Sequence, residues 1–213
     1  MEEEEQARAY AGTDFAEAHQ AYVRLFGERF PDAPAQASAL DIGCGPADVT
    51  RRFARAFSGW RVHALDGARA MLTEARQALA SEPELAGRIT LVEGVLPDAV
   101  LPRTHYDVVL STSLLHHLHD PDVLWRAVRA SAAPGATVFI ADLSRPESAE
   151  AAQSLVAQYA VGAPSVLQRD FFNSLCAAFT PDEVREQLAV HDLGGLCVET
   201  VSDRHLIVWG RMP

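Results

Sequence analysis

The stretch Ala39-Leu40-Asp41-Ile42-Gly43-Cys44-Gly45-Pro46-Ala47-Asp48 decides how this chain folds. A short apolar run ends there in an acid and two glycines one residue apart. A helical pattern then opens at Pro46, with apolar Val49, Phe53 and Phe57 on one face. A strand, a glycine turn and a helix N-terminus in this order allow the backbone to approach a nucleotide-like ligand closely. The stretch therefore predicts a ligand-binding βα unit.

A second acid supports this interpretation. The next apolar run, Val62 to Leu65, ends in Asp66, twenty-five residues after Asp41. An acid at the end of the second strand commonly holds the two hydroxyls of a ribose. The dinucleotide fingerprint Gly-x-Gly-x-x-Gly fails, because its sixth position is Asp48. A nicotinamide-dependent oxidoreductase is therefore the least favoured alternative.

Strand and helix patterns alternate along the chain. Strands are predicted near 38–42, 61–66, 89–93, 106–111 and 136–141, and helices near 47–57, 68–80 and 121–131. This alternation predicts βαβ units with right-handed crossovers and a parallel sheet. Further helices are predicted over 14–30, 146–161, 165–178 and 180–191, and a closing hairpin over 197–201 and 205–209. A capping box at Thr180-Pro181-Asp182-Glu183 starts the last helix.

Composition excludes several classes of protein. The 213 residues are 48% hydrophobic and 22% charged, which suits one domain with one buried core. A net charge of -11 disfavours a nucleic-acid partner, and we interpret the basic cluster at 51–55 as a solvated helix face. No apolar run approaches the ~18 residues of a membrane span, and the acidic stretch 2–5 is unlike a signal peptide. Three widely spaced cysteines without a Cys-x-x-Cys pair predict reduced thiols in a cytoplasmic protein.

These motifs resemble a known family. Asp41-x-Gly43-x-Gly45 is similar to motif I of the class I S-adenosylmethionine (SAM)-dependent methyltransferases. The resemblance covers residues 38–142 and the closing hairpin, with later motifs at Leu65–Leu72, Tyr106–Ser111, Leu114–Leu118 and Ala133–Asp142. The chain looks most like small bacterial enzymes of the ubiquinone/menaquinone-methyltransferase-like branch.

The resemblance implies an architecture. We expect a Rossmann-like α/β fold with a seven-stranded, mostly parallel sheet, an antiparallel last strand and helices on both faces. The whole of 1–213 would form a single methyltransferase domain. Residues 1–34 would form an N-terminal helical lid, and residues 145–178 a helical cap over the methyl acceptor.

The resemblance also implies a set of cofactor contacts. Asp66 would bind the ribose of SAM, Met71 would help wall the adenine, and Asp41 would steady the glycine turn and the amino acid end. The other expected contacts are Tyr10, Gly43, Cys44, Gly45, Gly67, Val95, Leu96 and Ser111. Val95 departs from the branch, which usually has an acid there to accept a hydrogen bond from the adenine amino group. Losing such a bond costs about 0.5–1.5 kcal/mol, which does not exclude SAM.

Three histidines follow the predicted fourth strand, at the edge of the sheet where ligands bind. Methyl transfer from a sulfonium requires alignment and, for some acceptors, removal of a proton. His116 is the first candidate for that base and His117 the second, although each of these histidines could instead pack or cap the loop. A metal site built on them is not expected. The expected acceptor contacts are Tyr22, His116, Tyr159, Arg169 and Asn173.

The sequence therefore predicts an enzyme that transfers the methyl group of SAM to a small molecule and releases S-adenosylhomocysteine (SAH). The acceptor atom stays open, as does the choice between a monomer and a homodimer. One alternative is another SAM-consuming reaction, aminocarboxypropyl transfer or cyclisation, that releases methylthioadenosine. Another is a SAM-binding protein without catalysis. No membrane partner is expected.

Overall fold

Seven strands form one sheet in the computed structural model, which describes residues 16–213. The helices are α1 Ala16–Arg29, α2 Asp48–Ala56, α3 Arg69–Ala80, α4 Pro83–Ala86, α5 Asp122–Ser131, α6 Ala149–Tyr159, α7 Ser165–Ala177 and α8 Pro181–Val190. The strands are β1 Gln36–Ile42, β2 Gly59–Asp66, β3 Ile89–Glu93, β4 Tyr106–Thr112, β5 Ala132–Leu143, β6 Cys197–Thr200 and β7 His205–Arg211. A turn of 3-10 helix covers Leu115–His117.

The strand order is β3-β2-β1-β4-β5-β7-β6. Strands β1 to β5 run parallel, and β7 runs antiparallel to both β5 and β6. Ile42 pairs with Leu65 on one side and with Ser111 on the other, so the carboxyl ends of β1, β2 and β4 lie together. We call this border of the sheet the carboxyl edge. The predicted fold class is confirmed.

Helices cover both faces of the sheet. On one face, the fully buried rings of Phe26 from α1 and Phe53 from α2 pack on Trp60 and Phe139 of the sheet. On the other face, Trp125 of α5 and Val184 of α8 join a second buried cluster. The α/β pattern that the sequence predicts is therefore a three-layer structure.

Phe26 is the centre of an aromatic cluster that fixes α1. Its ring centroid lies 4.9–5.6 Å from those of Phe30, Phe53, Phe57, Trp60 and Phe139. Four of these five contacts are edge-to-face, the geometry that aromatic pairs prefer. Helix α1 is thus part of the hydrophobic core.

Element boundaries differ from the predictions in two places. Strand β5 begins at Ala132 instead of near 136 because it continues through Pro134-Gly135, where the positive φ of Gly135 and its bond to Met212 O keep the chain paired. The one-turn helix α4 was not predicted, since four residues show no periodicity. The capping box is confirmed: Thr180 Oγ1 accepts from Glu183 N, and Glu183 Oε2 accepts from Thr180 N. Within the described chain, no helix is long and apolar enough to cross a membrane.

Candidate active site

The glycine turn lies at the carboxyl edge, between β1 and α2. The backbone N–H groups of Gly43 and Cys44 both donate to Leu65 O, at 2.8 and 2.9 Å, and tie the turn to β2. Gly43 and Gly45 have φ of 77° and 53°, which glycine adopts at no steric cost. A Cβ on Gly43 would lie 2.8 Å from Leu114 Cδ2, whereas a Cβ on Gly45 would meet nothing within 4 Å. The open side of Gly45 is therefore the place where a ligand can approach the backbone.

Ala47 stands where a third glycine is often found. Its φ of 61° and ψ of 25° are left-handed, and its side chain is fully buried. That conformation costs a non-glycine residue about 1–2 kcal/mol. The turn therefore contains three left-handed residues in five positions, and α2 begins directly after it at Asp48.

Asp66 connects the turn to the next helix. One carboxylate oxygen, Oδ2, accepts from Gly45 N and the other, Oδ1, accepts from Ala68 N, both at 2.7 Å. Each oxygen of a carboxylate has a second acceptor position. Asp66 therefore shapes the site in addition to the ribose contact that the sequence predicts, which stays a prediction.

Asp41 carries an unpaired oxygen in the interior. Its side chain is 2% exposed, and Oδ2 accepts from Thr50 Oγ1 at 2.5 Å. Oδ1 is buried and has no hydrogen-bond partner among the described residues. Burial raises the pKa of Asp41 to about 6, the hydroxyl of Thr50 lowers it, and the charge of Asp66 raises it. An orphaned carboxylate oxygen two residues before the first glycine of the turn fits the ammonium group at the amino acid end of SAM.

The other expected cofactor residues are placed as follows. Met71 is buried on α3, and Val95 is 67% exposed beside Gly67, whose added Cβ would lie 2.9 Å from Val95 Cγ2. Burial keeps the pKa of the Cys44 thiol well above its usual value. Ser111 Oγ donates to Ile42 O at 2.7 Å inside the sheet.

The last two of the expected cofactor residues are Leu96 and Tyr10. Leu96 is partly buried against the second core cluster. Tyr10 lies outside the described residues. None of these contacts with SAM is tested by the structure, and they stay predictions.

On the other half of the carboxyl edge, His116 pairs with Asp142. Nδ1 of His116 lies 2.6 Å from Oδ1 of Asp142, and the two side chains are 5% and 2% exposed. Asp142 also accepts from the backbone N–H groups of Leu115 and Leu143, each at 2.8 Å. A carboxylate held by two backbone donors accepts the Nδ1 hydrogen, so Nε2 is the nitrogen that bears the lone pair in the neutral imidazole. Nε2 makes no hydrogen bond with any described residue.

The ring of His117 packs against that of His116 in a tilted arrangement. Its ring centroid lies 4.0 Å from that of His116, and its side chain remains exposed. The surrounding protein atoms and then the neighbouring His116 lower the pKa of His117 to about 4, although Asp142 raises it. His117 is therefore neutral at pH 7. Among the described residues there is no cluster of three His, Cys, Asp or Glu side chains that could hold a metal ion.

Sequence reasoning missed two residues of this half. Asp142 ends a buried apolar strand, the same signal that identified Asp41 and Asp66. His205, the first residue of β7, packs edge-on against Tyr22 with ring centroids 5.9 Å apart. Because β7 is antiparallel, its first residue lies at the carboxyl edge. The sequence analysis expected an antiparallel last strand, and that expectation already implied this position for His205.

Helices α6 and α7 occupy the segment that the sequence predicts to cap the acceptor, a role that stays a prediction. Helix α7 packs against the 3-10 turn that carries His116. At the end of α6, Tyr159 donates from its hydroxyl to Asp203 Oδ2 at 2.7 Å, and the guanidinium of Arg204 lies 3.3 Å from its ring centroid. The structure therefore brings Tyr22 and His116 to one edge, and Tyr159 joins α6 to the β6–β7 turn.

The remaining acceptor candidates, Arg169 and Asn173, are exposed on α7. Their role stays a prediction. A separate cavity of about 340 Å³ lies at the opposite border of the sheet, among Asp32, Asp107 and Arg211. It is remote from the glycine turn and is not the candidate active site.

The strand order and the glycine turn define the class I SAM-dependent methyltransferase fold. Residues 40–138 match the family described as a methyltransferase domain. A solved SAM-dependent methyltransferase from Aquifex aeolicus superposes with a TM-score of 0.71 at 14% identity, covering 99% of both chains. The chain therefore has the fold of the SAM-dependent methyltransferases, and its residues 40–138 are similar to the methyltransferase domain family.

Two curated relatives are ubiquinone biosynthesis O-methyltransferases. The protein from Xanthomonas axonopodis pv. citri is 31% identical over 59% of this chain and 51% of its own length. The protein from Caulobacter sp. is 29% identical over 81% of this chain and 66% of its own length. The chain thus spans between half and just under two thirds of these relatives.

Proposed function

We propose that the protein transfers the methyl group of SAM to a hydroxyl oxygen of a small molecule, with His116 as general base and Asp142 as the residue that orients it. The buried His116–Asp142 pair at the carboxyl edge carries this proposal. The similarity to O-methyltransferases supports oxygen as the acceptor atom.

SAM, when bound, supplies a methyl group already activated by a positive sulfur. The chain's own residues then have two tasks. Gly45 would hold the cofactor through its open backbone, Asp66 through the ribose contact and Asp41 through its unpaired Oδ1. His116 takes the hydroxyl proton at Nε2 as the oxygen–carbon bond forms and the carbon–sulfur bond breaks. Asp142 stabilises the resulting imidazolium and keeps the tautomer that presents the lone pair.

The acceptor is a small molecule and not a nucleic acid in this proposal. The net charge of -11 repels phosphate backbones. The arginines of the basic cluster at 51–55 all form ion pairs, with Asp48 or Glu82. This pairing leaves the cluster a poor phosphate-binding surface. The three free cysteines support the expected cytoplasmic location, and helices α6 and α7 would form the acceptor cap. The oligomeric state, monomer or homodimer, remains a prediction.

The first test is a calorimetric titration with SAH, with NADH as control ligand. Micromolar binding of SAH alone supports the proposal, and failure to bind contradicts it. Incubation with SAM and a panel of hydroxyl compounds then identifies products by mass. Release of SAH with a gain of one methyl supports methyl transfer, whereas release of methylthioadenosine indicates the alternative chemistry.

A further inference from the structure

Thr50 is a buried polar residue of α2 that the mechanism above does not use. Its side chain is fully buried, and its Oγ1 donates to Asp41 Oδ2 at 2.5 Å. Thr50 is the third residue of α2, the helix that begins directly after the glycine turn. Its hydroxyl therefore joins the start of α2 to the last residue but one of β1.

The two carboxylate oxygens of Asp41 have different surroundings. Oδ2 accepts from Thr50, whereas Oδ1 is buried and has no hydrogen-bond partner among the described residues. A buried carboxylate oxygen without a donor costs free energy, and a charged donor compensates that cost best. Because the bond to Thr50 restricts rotation of the carboxylate, Oδ1 is the oxygen that is left for a ligand.

This carboxylate belongs to the cofactor half of the carboxyl edge. Asp41 pairs in register with Ala64 of β2, two residues before Asp66. The charges of Asp41 and Asp66 both raise the pKa of the thiol of Cys44, which lies in the glycine turn. Both carboxylates are therefore close to that turn. The ammonium at the amino acid end is the charged hydrogen-bond donor that SAM and SAH share.

The hydroxyl of Thr50 acts as a donor at neutral pH. Burial raises the pKa of Asp41 to about 6, the hydroxyl of Thr50 lowers it, and the charge of Asp66 raises it. At pH 7 the carboxyl is therefore mostly ionised, and an ionised carboxylate only accepts hydrogen bonds. Thr50 thus favours the charged form of Asp41, the form that attracts an ammonium.

The other titratable and charged groups nearby are accounted for. The thiol of Cys44 stays neutral at pH 7, because burial keeps its pKa well above the usual value. Asp48, at the start of α2, is ion-paired with three groups of α1 and α2, which are His19, Arg51 and Arg52. The charge of Asp66 is therefore the main one among the described residues that acts on Asp41.

Building on the proposed function, we propose that Thr50 is a positioning residue for the cofactor, which holds the ionised carboxylate of Asp41 so that Oδ1 accepts from the ammonium of SAM or SAH. A molecule whose Asp41 is protonated releases that proton to the solvent when the ammonium binds, and the ammonium keeps its own hydrogens. Cofactor binding is thus linked to proton release, and Thr50 sets the pH at which the release occurs.

The unaltered protein gives the first test, by calorimetric titration with SAH from pH 5 to pH 8. Apparent affinity follows the ionised fraction of Asp41, so it should rise about tenfold between pH 5 and pH 7 and then level off. At pH 6, titrations in two buffers of different ionisation enthalpy should show release of about half a proton for each SAH bound. Methylthioadenosine, which has the adenine, ribose and sulfur of SAH without the amino acid end, is the control ligand. Its binding should release no proton.

Substitutions at Thr50 give the second test. Thr50→Val removes the hydroxyl and keeps the branched shape. The pKa of Asp41 then rises, so the pH at which SAH affinity falls by half should move upward by about one unit or more, while methylthioadenosine binds as before. Thr50→Ser keeps a hydroxyl and should restore the profile. Asp41→Asn cannot ionise and should bind SAH at least about tenfold more weakly, without pH dependence between pH 5 and pH 7.

Several outcomes would overturn this role of Thr50. One is an SAH affinity that stays constant from pH 5 to pH 7, and another is equal proton release with SAH and methylthioadenosine. Equal losses of affinity for both ligands in Thr50→Val would mean that Thr50 only supports the turn. If Thr50→Val does not fold, Thr50→Ala makes the same comparison. Failure of the unaltered protein to bind SAH at any pH contradicts the proposed function itself, so the two failures are distinguishable.

Discussion

The two halves of the carboxyl edge are built in different ways. The cofactor half, at the ends of β1 and β2, uses backbone N–H groups of one short turn and two strand-end acids. The acceptor half, at the ends of β4 and β5 and the start of β7, uses side chains from four separate elements. The first half is formed by residues close together in the sequence, and its proposed ligand is SAM. The second is an assembly of residues that are distant in the sequence and that, in the proposed function, would bind the acceptor.

The largest expected effect lies in the acceptor half. His116→Ala should slow methyl transfer by about 10²–10⁴ because the hydroxyl proton loses its acceptor, while SAH affinity stays unchanged. Steady-state rates with the acceptor from the product screen, and calorimetry with SAH, measure the two quantities. His119→Ala, an exposed histidine in the same loop, is the matched control and should remain active. Full activity of His116→Ala would reduce this residue to loop packing.

The next effect lies in the cofactor half. Asp66→Ala should weaken SAM binding by at least about two orders of magnitude, since each hydrogen bond to a charged acceptor contributes about 1.5–3 kcal/mol. Calorimetry measures the affinity, and circular dichroism checks that the fold persists. Glu93→Gln, at the end of the next strand, is the control, because Glu93 is ion-paired with Arg69. Equal affinities of Asp66→Ala and the unaltered protein would contradict the ribose assignment.

Stability should depend on pH through Asp41. Its pKa in the folded protein, about 6, exceeds the ordinary value of 3.8, so the folded state binds more protons between these values. The Asp41 contribution to the free energy of unfolding is therefore fully present below about pH 4 and lost as pH rises through 6, by up to roughly 3 kcal/mol. Asp41→Asn removes this term. Chemical denaturation of both proteins from pH 4 to 7 measures the difference, and parallel curves would refute it.

The smallest expected effect is a difference between substitutions at the two glycines of the turn. Gly45→Ala places a methyl group in the open space beside the backbone, so SAM affinity should fall about tenfold with a loss of stability of about 1 kcal/mol from its left-handed φ. Gly43→Ala should destabilise the protein more, because its Cβ meets Leu114. Thermal melts and SAH titrations of both variants compare them. The same loss of affinity in both would show that Gly45 does not face the ligand.

The sequence predicted the strand, glycine turn and helix start of the cofactor half well, because the information for these elements is local. Glycine positions, a strand-end acid and a helix start lie within a few residues of one another, and the structure places them as expected. The hydrogen bonds of Asp66 to Gly45 and Ala68 were not predictable, since they depend on how β1 and β2 align.

The acceptor half was predicted only in part. His116 was identified from its place after β4, but its partner Asp142 comes from β5 and His205 from β7. Each of these two residues carries a signal in the sequence, but their meeting with His116 depends on strand order, which no local pattern encodes. The cap residues Arg169 and Asn173 illustrate the same limit, because helical periodicity does not tell which face meets a substrate.

The aromatic cluster around Phe26 has a mechanical consequence. Lifting α1 from the sheet would expose Val23, Phe26 and Phe30, each of which is buried. At about 1.5–3 kcal/mol for each side chain, the lifted state would be populated at less than about one part in a thousand. The lid expected over 1–34 remains a prediction, and the burial of Val23, Phe26 and Phe30 holds this part of it against the sheet. Helix α1 therefore stays in place, and any movement that admits the acceptor must occur in another element.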